Sequence, residues 1–504
     1  MIGWGLAAAV VLGALLGASG AEAGKKDDTL NVVWDRQLNT LDQYFNTDRE
    51  GIVVGRLIWD TLIERDPISN EYLPQLATGW KWIDPVTLEM QLRQGVQFHN
   101  GEKFDADDVV HTLNFVSDPA SKVPGQGNVN WIKRAEKLGE YAVRIHLKQP
   151  FPAALEFLAG PLSIYPDEYY AKVGPQGMGR EPIGTGPYRV TAVEAAKSIT
   201  FVRNERYFDG PKGKPAIARI VQRTVPDTTT QIAELMSGRA DWIWKVPADQ
   251  ADKLRAVPNV TVDAAETMRF GYIGFDAAGR AGDHPFKSIK VRQAVAHAID
   301  REAMVKNLVR GNARVLHAVC FPSQLGCIDD GLPRYGFDPE KAKALLAEAG
   351  YPNGFEAEIY AYRERPYTEA VIGYLRTVGI RAKLNWLQYA ALAEKNRAGE
   401  TPMFHMTWGS NSINDASASV SYFFRGGADD FARDPAVIGA LEAADNSIDT
   451  VARKRNYNLA LKRIAEQVYW LPMFSIVVNY AYARELEFRA DADEVPRFYL
   501  TRWK

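Results

Sequence analysis

Eight of the fourteen residues from 174 to 187 are glycine or proline: Gly174, Pro175, Gly177, Gly179, Pro182, Gly184, Gly186 and Pro187. Proline withholds a backbone donor and glycine resists regular order, so this density reads as a loop and a crossing between separately folded parts. Some division is required in any case, because 504 residues exceed what one hydrophobic core ordinarily organises. Two or three domains are expected. Hydrophobic residues make up 46% of the chain and charged residues 24%, a balance that builds cores rather than disorder. The net charge of −2 leaves no excess of positive charge to neutralise phosphates, which argues against nucleic acid as a partner.

Residues 1–20 are almost wholly apolar, and Ala21-Glu22-Ala23 then supplies the small-x-small pattern admitted by a signal peptidase. We expect residues 1–23 to be a cleaved signal peptide, leaving Gly24 first. No Lys or Arg precedes the apolar run, so a retained anchor is the alternative. No later segment has the roughly 18 uninterrupted apolar residues of a spanning helix. The two cysteines, Cys320 and Cys327, flank a segment with Pro322 and Gly326, and a local disulfide is the simplest account in an oxidising compartment. The alternatives are two unpaired thiols, or a metal site with His317 that lacks a fourth ligand.

Thr87-Leu-Glu-Met-Gln-Leu-Arg93 and Ala142-Val-Arg-Ile-His-Leu147 alternate apolar and polar residues in the two-residue period of half-buried strands. Between them, residues 105–115 open with helix-capping acids and continue near a 3.6 period, giving an α+β module. Strands are expected at 29–33, 199–203 and 218–223, with a second β-type run at 57–65. Helices are expected at 227–237, 291–310, 339–349 and 453–469, and the closing residues 488–504 as edge strands.

Catalytic motifs are missing. There is no Gly-x-Ser-x-Gly, no phosphate-binding Gly-x-x-x-x-Gly-Lys, no His-Glu-x-x-His and no Gly-x-Gly-x-x-Gly. The seven histidines show no i, i+4 pairing, and Asp107-Asp108 and Asp429-Asp430 read as solvated acids rather than general acid/base pairs. No catalytic residue, cofactor or metal is expected.

One stretch is specific: Ala77-Thr-Gly-Trp80, Asp84, Leu92-Arg93-Gln-Gly95-Val-Gln-Phe98-His99-Asn-Gly101, and Phe104-Asp-Ala106-Asp-Asp108-Val109. It resembles the signature of the family 5 solute-binding proteins of ABC transporters, whose members bind oligopeptides, dipeptides and nickel chelates. Gly184-Thr-Gly186-Pro187-Tyr188, His284-Pro-Phe286, Val291-Arg292-Gln-Ala294 through Asp300-Arg301, and Tyr335-Gly-Phe-Asp338-Pro339 follow in the order of that family. The resemblance implies an α/β fold of the two-lobed periplasmic-binding-protein type, with an α+β module inserted in the first lobe and the ligand cleft between lobes. Its expected parts are lobe I (24–50, 182–268 and 482–504), the inserted module (51–181) and lobe II (269–481), with crossings in the Gly/Pro stretch and near Met268.

It also implies a monomeric periplasmic protein that captures a peptide or peptide-like solute and delivers it to an ABC permease in the inner membrane, without enzymatic turnover. A periplasmic hydrolase of small peptides and a non-transport sensor or chaperone are the alternatives. In peptide-binding relatives a Trp-x-x-Asp sets a carboxylate against the ligand's amino group; the matching segment is Trp408-Gly-Ser-Asn411, where the acid is an amide. Asp415 is the nearest carboxylate that a loop shift brings to the same place. Arg363 lies where some relatives hold a ligand carboxylate, and Tyr44, Arg269 and Tyr272 lie where relatives line the cleft. An amide at 411 favours a modified peptide, an opine-like conjugate or a glycosylated small molecule over a simple dipeptide, because a buried ammonium needs a compensating charge.

Mass spectrometry of the exported protein should find a chain that begins at Gly24. A mature chain that keeps Met1 discards the leader in favour of an anchor.

Overall fold

The computed structural model describes residues 24–46 and 48–504; the expected leader lies outside the described residues. Two strands organise everything else. Val260–Phe275 and Trp470–Ala483 run antiparallel, pairing from Val260 with Ala483 to Gly274 with Trp470. At about 3.3 Å per residue each is roughly 50 Å long, enough to pass through both lobes. Their register slips between Glu266 and Phe270 and again before Tyr272, an irregularity that bends and twists a ladder where one lobe gives way to the other.

On one side of the slip the sheet continues through Trp242–Ile243, Thr29–Trp34, Arg219–Thr224, Ser198–Arg203 and Tyr188–Glu194. On the other it continues through Met403–Trp408, Phe355–Ala361 and Ile380–Trp386. Phe355–Ala361 and Ile380–Trp386 are parallel, and the Arg365–Thr377 helix makes the crossover between them. Each lobe thus owns one end of a single ten-stranded sheet.

The α+β module forms as its alternation predicts. Thr87–Leu92 and Ala142–Leu147 pair antiparallel within a four-stranded sheet, and Val143, Ile145 and Leu147 are buried while their neighbours are half-exposed. The Ala106–Ser117 helix starts at a capping box: Asp105 accepts from the Asp107 N–H and Asp108 accepts from the Asp105 N–H. The module has no core of its own. Leu88, Phe98, Phe104, Val143 and Tyr165 belong to one buried cluster with Leu30, Trp34, Trp242 and Tyr499. Two further clusters fill the second lobe.

Several expectations need correction. The crossing expected at 174–187 is not there. Asp167–Arg180 is helical with a kink at Gly174, and the loop that follows is clamped within the same core. Carbon at the Cβ position of Gly184 or Gly186 would run into the Ile58 backbone, to which Gly186 donates at 2.8 Å. Tertiary closeness, not a hinge, explains those glycines. The run at 57–65 divides into the end of the Arg49–Ile58 helix and a short Ile63–Arg65 strand. The helix expected at 291–310 breaks after Ala298, and Asp300 caps a new turn through the Ala303 N–H. Of the closing residues only Arg502–Trp503 is a strand, paired with Leu486–Glu487.

Cys320 and Cys327 form a disulfide. The loop they close is tied to the second lobe's 413–416 segment: Leu325 donates to Asn414 at 3.0 Å, Ala416 donates to Leu325 at 3.0 Å, and the Gln324 amide donates to Ile413 at 2.8 Å. Thiol titration under denaturing, non-reducing conditions should find no free thiol. Replacing both cysteines by serine should lower stability by about 2.5 kcal/mol, the chain entropy of closing so short a loop. Two titratable thiols in the native chain contradict this.

Candidate ligand cleft between the lobes

A cavity of about 360 Å³ lies between the lobes, within the range of pockets that enclose small molecules. The first lobe contributes Tyr44, Ile52, Arg65, Asn128, Glu156 and Asp493; the second contributes Asn411, Ser412, Ile413 and Tyr422. Tyr44 is set by a short turn, Gln43–Phe45, capped by Asp42, and its hydroxyl donates to the Ser163 carbonyl. Burial lifts the Asp42 carboxyl to about 6, although Tyr165 and Tyr170 donate hydroxyl bonds to it.

The second lobe reaches the cavity through a strained loop. Ser410, Asn411 and Ser412 are three consecutive non-glycine residues in the left-handed region, at φ 51°, 50° and 63°. Such a run persists only where surrounding contacts impose it. The first lobe supplies many of them: Arg49 donates to the Ser412 hydroxyl, that hydroxyl donates to the Asp493 carbonyl at 2.7 Å, and the Asn414 N–H donates to Glu156 at 2.8 Å. The disulfide loop braces the same segment from behind. These bonds span the two lobes, so the arrangement is a closed one.

Every charged side chain lining the cavity has an ion partner. Arg65 lies 3.4 Å from Glu156 and 3.6 Å from Asp493, Arg497 lies 2.7 Å from Asp493, and Arg56 lies 3.2 Å from Glu64. Burial raises the Glu156 carboxyl, with Arg65 offsetting part of the effect. Burial also opposes ionisation of Asp493, but Arg497 and Arg65 outweigh it and hold that carboxyl below its ordinary value. The Asn128 and Asn411 side chains take part in no hydrogen bond among the described residues. The cavity therefore offers amides and apolar walls, not uncompensated charge. A second compartment of about 230 Å³ shares Asn128, Asn411, Ile413 and Tyr422 with it, and there too the charges are paired, Arg425 with Asp445 and Arg453 with Asp415.

The residues singled out in the sequence fall into three groups. Tyr44 and Asn411 line the main cavity. Tyr272 and Trp408 line a smaller aromatic recess in the second lobe, which adjoins the cavity at Tyr422. Arg269, Arg363 and Asp415 line neither. Arg269 pairs with Glu494 at 3.0 Å, Arg363 is exposed beside Glu364 at 3.2 Å, and both Asp415 oxygens are held at 2.9 Å by the buried Arg453. A loop shift that freed Asp415 would strand that guanidinium, so Asp415 is not a spare carboxylate. Sequence reasoning missed Asn128, Glu156, Tyr422 and the acid-rich segment 491–497. Only the clustering of Asp491, Asp493, Glu494 and Arg497 signalled the last of these.

Arg49, Glu494 and Arg269 form a largely buried triad beside the crossing strands, with Glu494 3.7 Å from Arg49. Burial works against the Glu494 carboxylate, yet the two guanidiniums hold its carboxyl down at about 2. A depressed carboxyl stabilises the fold fully above its unfolded value, and that contribution fades as pH falls from about 4.5 through about 2. Glu494→Gln should cost about 3 kcal/mol at neutral pH by leaving two buried cations uncompensated. Denaturant unfolding of the variant should show less acid dependence between pH 5 and 2 than the unaltered chain. Equal stability of the two at neutral pH discards the triad as a structural tie.

Comparison with known proteins agrees with this architecture. The model of the bacterial extracellular solute-binding proteins, family 5, matches residues 71–431. A glutathione-binding protein, GsiB of Shigella dysenteriae, is 30% identical over 430 residues, covering 83% of this chain and 81% of that protein. Heme-binding protein A of Haemophilus influenzae is 31% identical over 331 residues, covering 60% of this chain and 58% of that protein. The solved structure of HbpA2 from Haemophilus parasuis superposes with a TM-score of 0.82 at 26% identity, over 94% of this chain and all of that one. The chain belongs to the family 5 extracellular solute-binding proteins, the substrate-binding components of ABC transporters.

Proposed function

We propose that the protein captures a peptide or peptide-like solute in the periplasm by lobe closure and presents it, as a monomer, to the permease of an ABC importer. The observation that carries this reading is the cavity walled from both lobes. A solute that touches both walls is held fully only in the closed form, so its binding energy is spent on shifting the hinge equilibrium. Relatives that bind glutathione, and the 25% identical AgaA solved with agropinic acid, support a peptide-like or conjugated solute. The hydrolase alternative draws no support from the site, where no histidine lines either compartment. We take the lobes as 24–50 with 182–268 and 482–504, and 269–481, with 51–181 as the inserted module.

The amides of Asn128 and Asn411 face the cavity from opposite lobes and suit an uncharged group such as a peptide unit, which offers both a donor and an acceptor. A panel of glutathione, short peptides and opines should contain a solute that changes tryptophan fluorescence and lowers the radius of gyration together. Asn411→Ala should weaken that solute about five-fold, the loss of one neutral hydrogen bond. A tightly held solute that changes neither signal rules out capture by closure.

A further inference from the structure

The strained run at the cleft is gripped at both ends by guanidiniums that share one carboxylate. Arg49, the first residue of the Arg49–Ile58 helix, donates to the Ser412 hydroxyl and, at 3.1 Å, to the Asp493 carbonyl. The Ser412 hydroxyl donates to that same carbonyl at 2.7 Å. At the other end Arg269, inside the register slip of the long ladder, lies against Gly409: a Cβ there would stand 3.0 Å from one guanidinium nitrogen and 3.2 Å from the guanidinium carbon. The φ of Gly409 is −119°, a value open to every residue type, so the arginine and not the backbone requires glycine at this position.

Glu494 is what the two grips have in common. Arg269 donates to it as a fork, from Nε at 3.0 Å and from Nη2 at 3.3 Å, and the Arg49 Nε lies 3.7 Å from the same carboxylate. A fork fixes direction as well as distance. Glu494 is itself a non-glycine residue in the left-handed region, at φ 58°, a placement that only its surroundings can impose. Its N–H donates to the Asp491 carbonyl at 3.2 Å, and Arg497 holds the flanking Asp491 and Asp493 carboxylates at 2.9 and 2.7 Å. The Met268 N–H donates to the Ala492 carbonyl at 2.7 Å and ties this turn to the crossing strand. Arg363 adds positive charge through space from the second lobe, while its own guanidinium is engaged by Glu364.

We propose that Glu494 is a positioning residue of the cleft: through Arg269 at Gly409 and Arg49 at Ser412 it clamps the 409–412 segment of the second lobe to the first, so that Asn411, between the two grips, is presented to the cavity. Two guanidiniums held against one carboxylate repel each other once that acid is neutralised, and both grips then loosen together. Glu494 lines neither cleft compartment, so its influence on a solute passes through the loop alone. This deepens the capture reading and rests on it for the contact between Asn411 and the solute.

Amide hydrogen exchange on the full chain, with no solute added, tests the clamp. Glu494→Gln should speed exchange of residues 410–414 at least five-fold, at labelling times over which the Val260–Phe275 ladder stays protected. A role confined to overall stability would instead show first in the ladder. Two milder variants keep the proposal testable if Glu494→Gln folds poorly: Arg49→Lys keeps a cation beside Glu494 but loses the fork, and Gly409→Ala drives a methyl group against Arg269. Each should reproduce the faster loop exchange, and Ser412→Ala added to Arg49→Lys should bring little more. Unchanged loop exchange in either mild variant, or a ladder that exchanges as early as the loop, overturns the clamp. Scattering on the same variants with glutathione, short peptides and opines separates the two readings. Any of these that closes the unaltered chain should need about five-fold more to close Arg49→Lys. A loosened loop in a chain that none of them closes leaves the clamp and removes capture by closure, whereas closure with unaltered loop exchange does the reverse.

Discussion

The antiparallel ladder between Val260–Phe275 and Trp470–Ala483 is the constraint on which the rest depends. Backbone hydrogen bonds make it continuous, so the lobes cannot drift apart, and its register slips near Met268 make it bendable at one place. Each end carries a different set of strands and a different buried core. A cleft opposite the bend follows from this, because two rigid bodies sharing one flexible edge must face each other across a gap.

Polar, specific contacts cross that gap, and Ile413 of the second lobe packs into the first lobe's core. The Ser410–Ser412 loop adopts a conformation that non-glycine residues resist, and contacts from the first lobe, at Arg49, Glu156 and Asp493, help to hold it. Strain of this kind, of order 1–3 kcal/mol per residue, is offset by the contacts made across the cleft. The disulfide loop has a part in this too. By fixing the far side of the 413–416 segment it gives the loop a rigid base, so that its strain is not relieved by retreat into the second lobe.

The cleft charges are arranged to neutralise one another. Glu156, Arg65, Asp493 and Arg497 form a connected network whose members answer each other's charge, leaving amides and apolar surface for the solute.

The sequence by itself determined the elements whose periodicity is local. The alternation in Thr87–Leu92 and Ala142–Leu147, the capping acids at Asp105 and Asp108, and the closeness of Cys320 to Cys327 each have their cause within a few residues, and each stands as read. The ordered motifs from Ala77 onward were enough to name the family. The sequence could not show which residues share the cleft, because those come from segments as distant as Tyr44, Asn128, Asn411 and Asp493, and proximity between them is created by the sheet. The same reason reversed several local readings. Gly184 and Gly186 are small because Ile58 lies against them, not because the chain hinges there. Asp415 and Arg269 are charged because Arg453 and Glu494 face them, not because a ligand does. Asp430, read as a solvated acid beside Asp429, is buried, and it accepts from the Gly426, Ala432 and Arg433 N–H groups of its own loop.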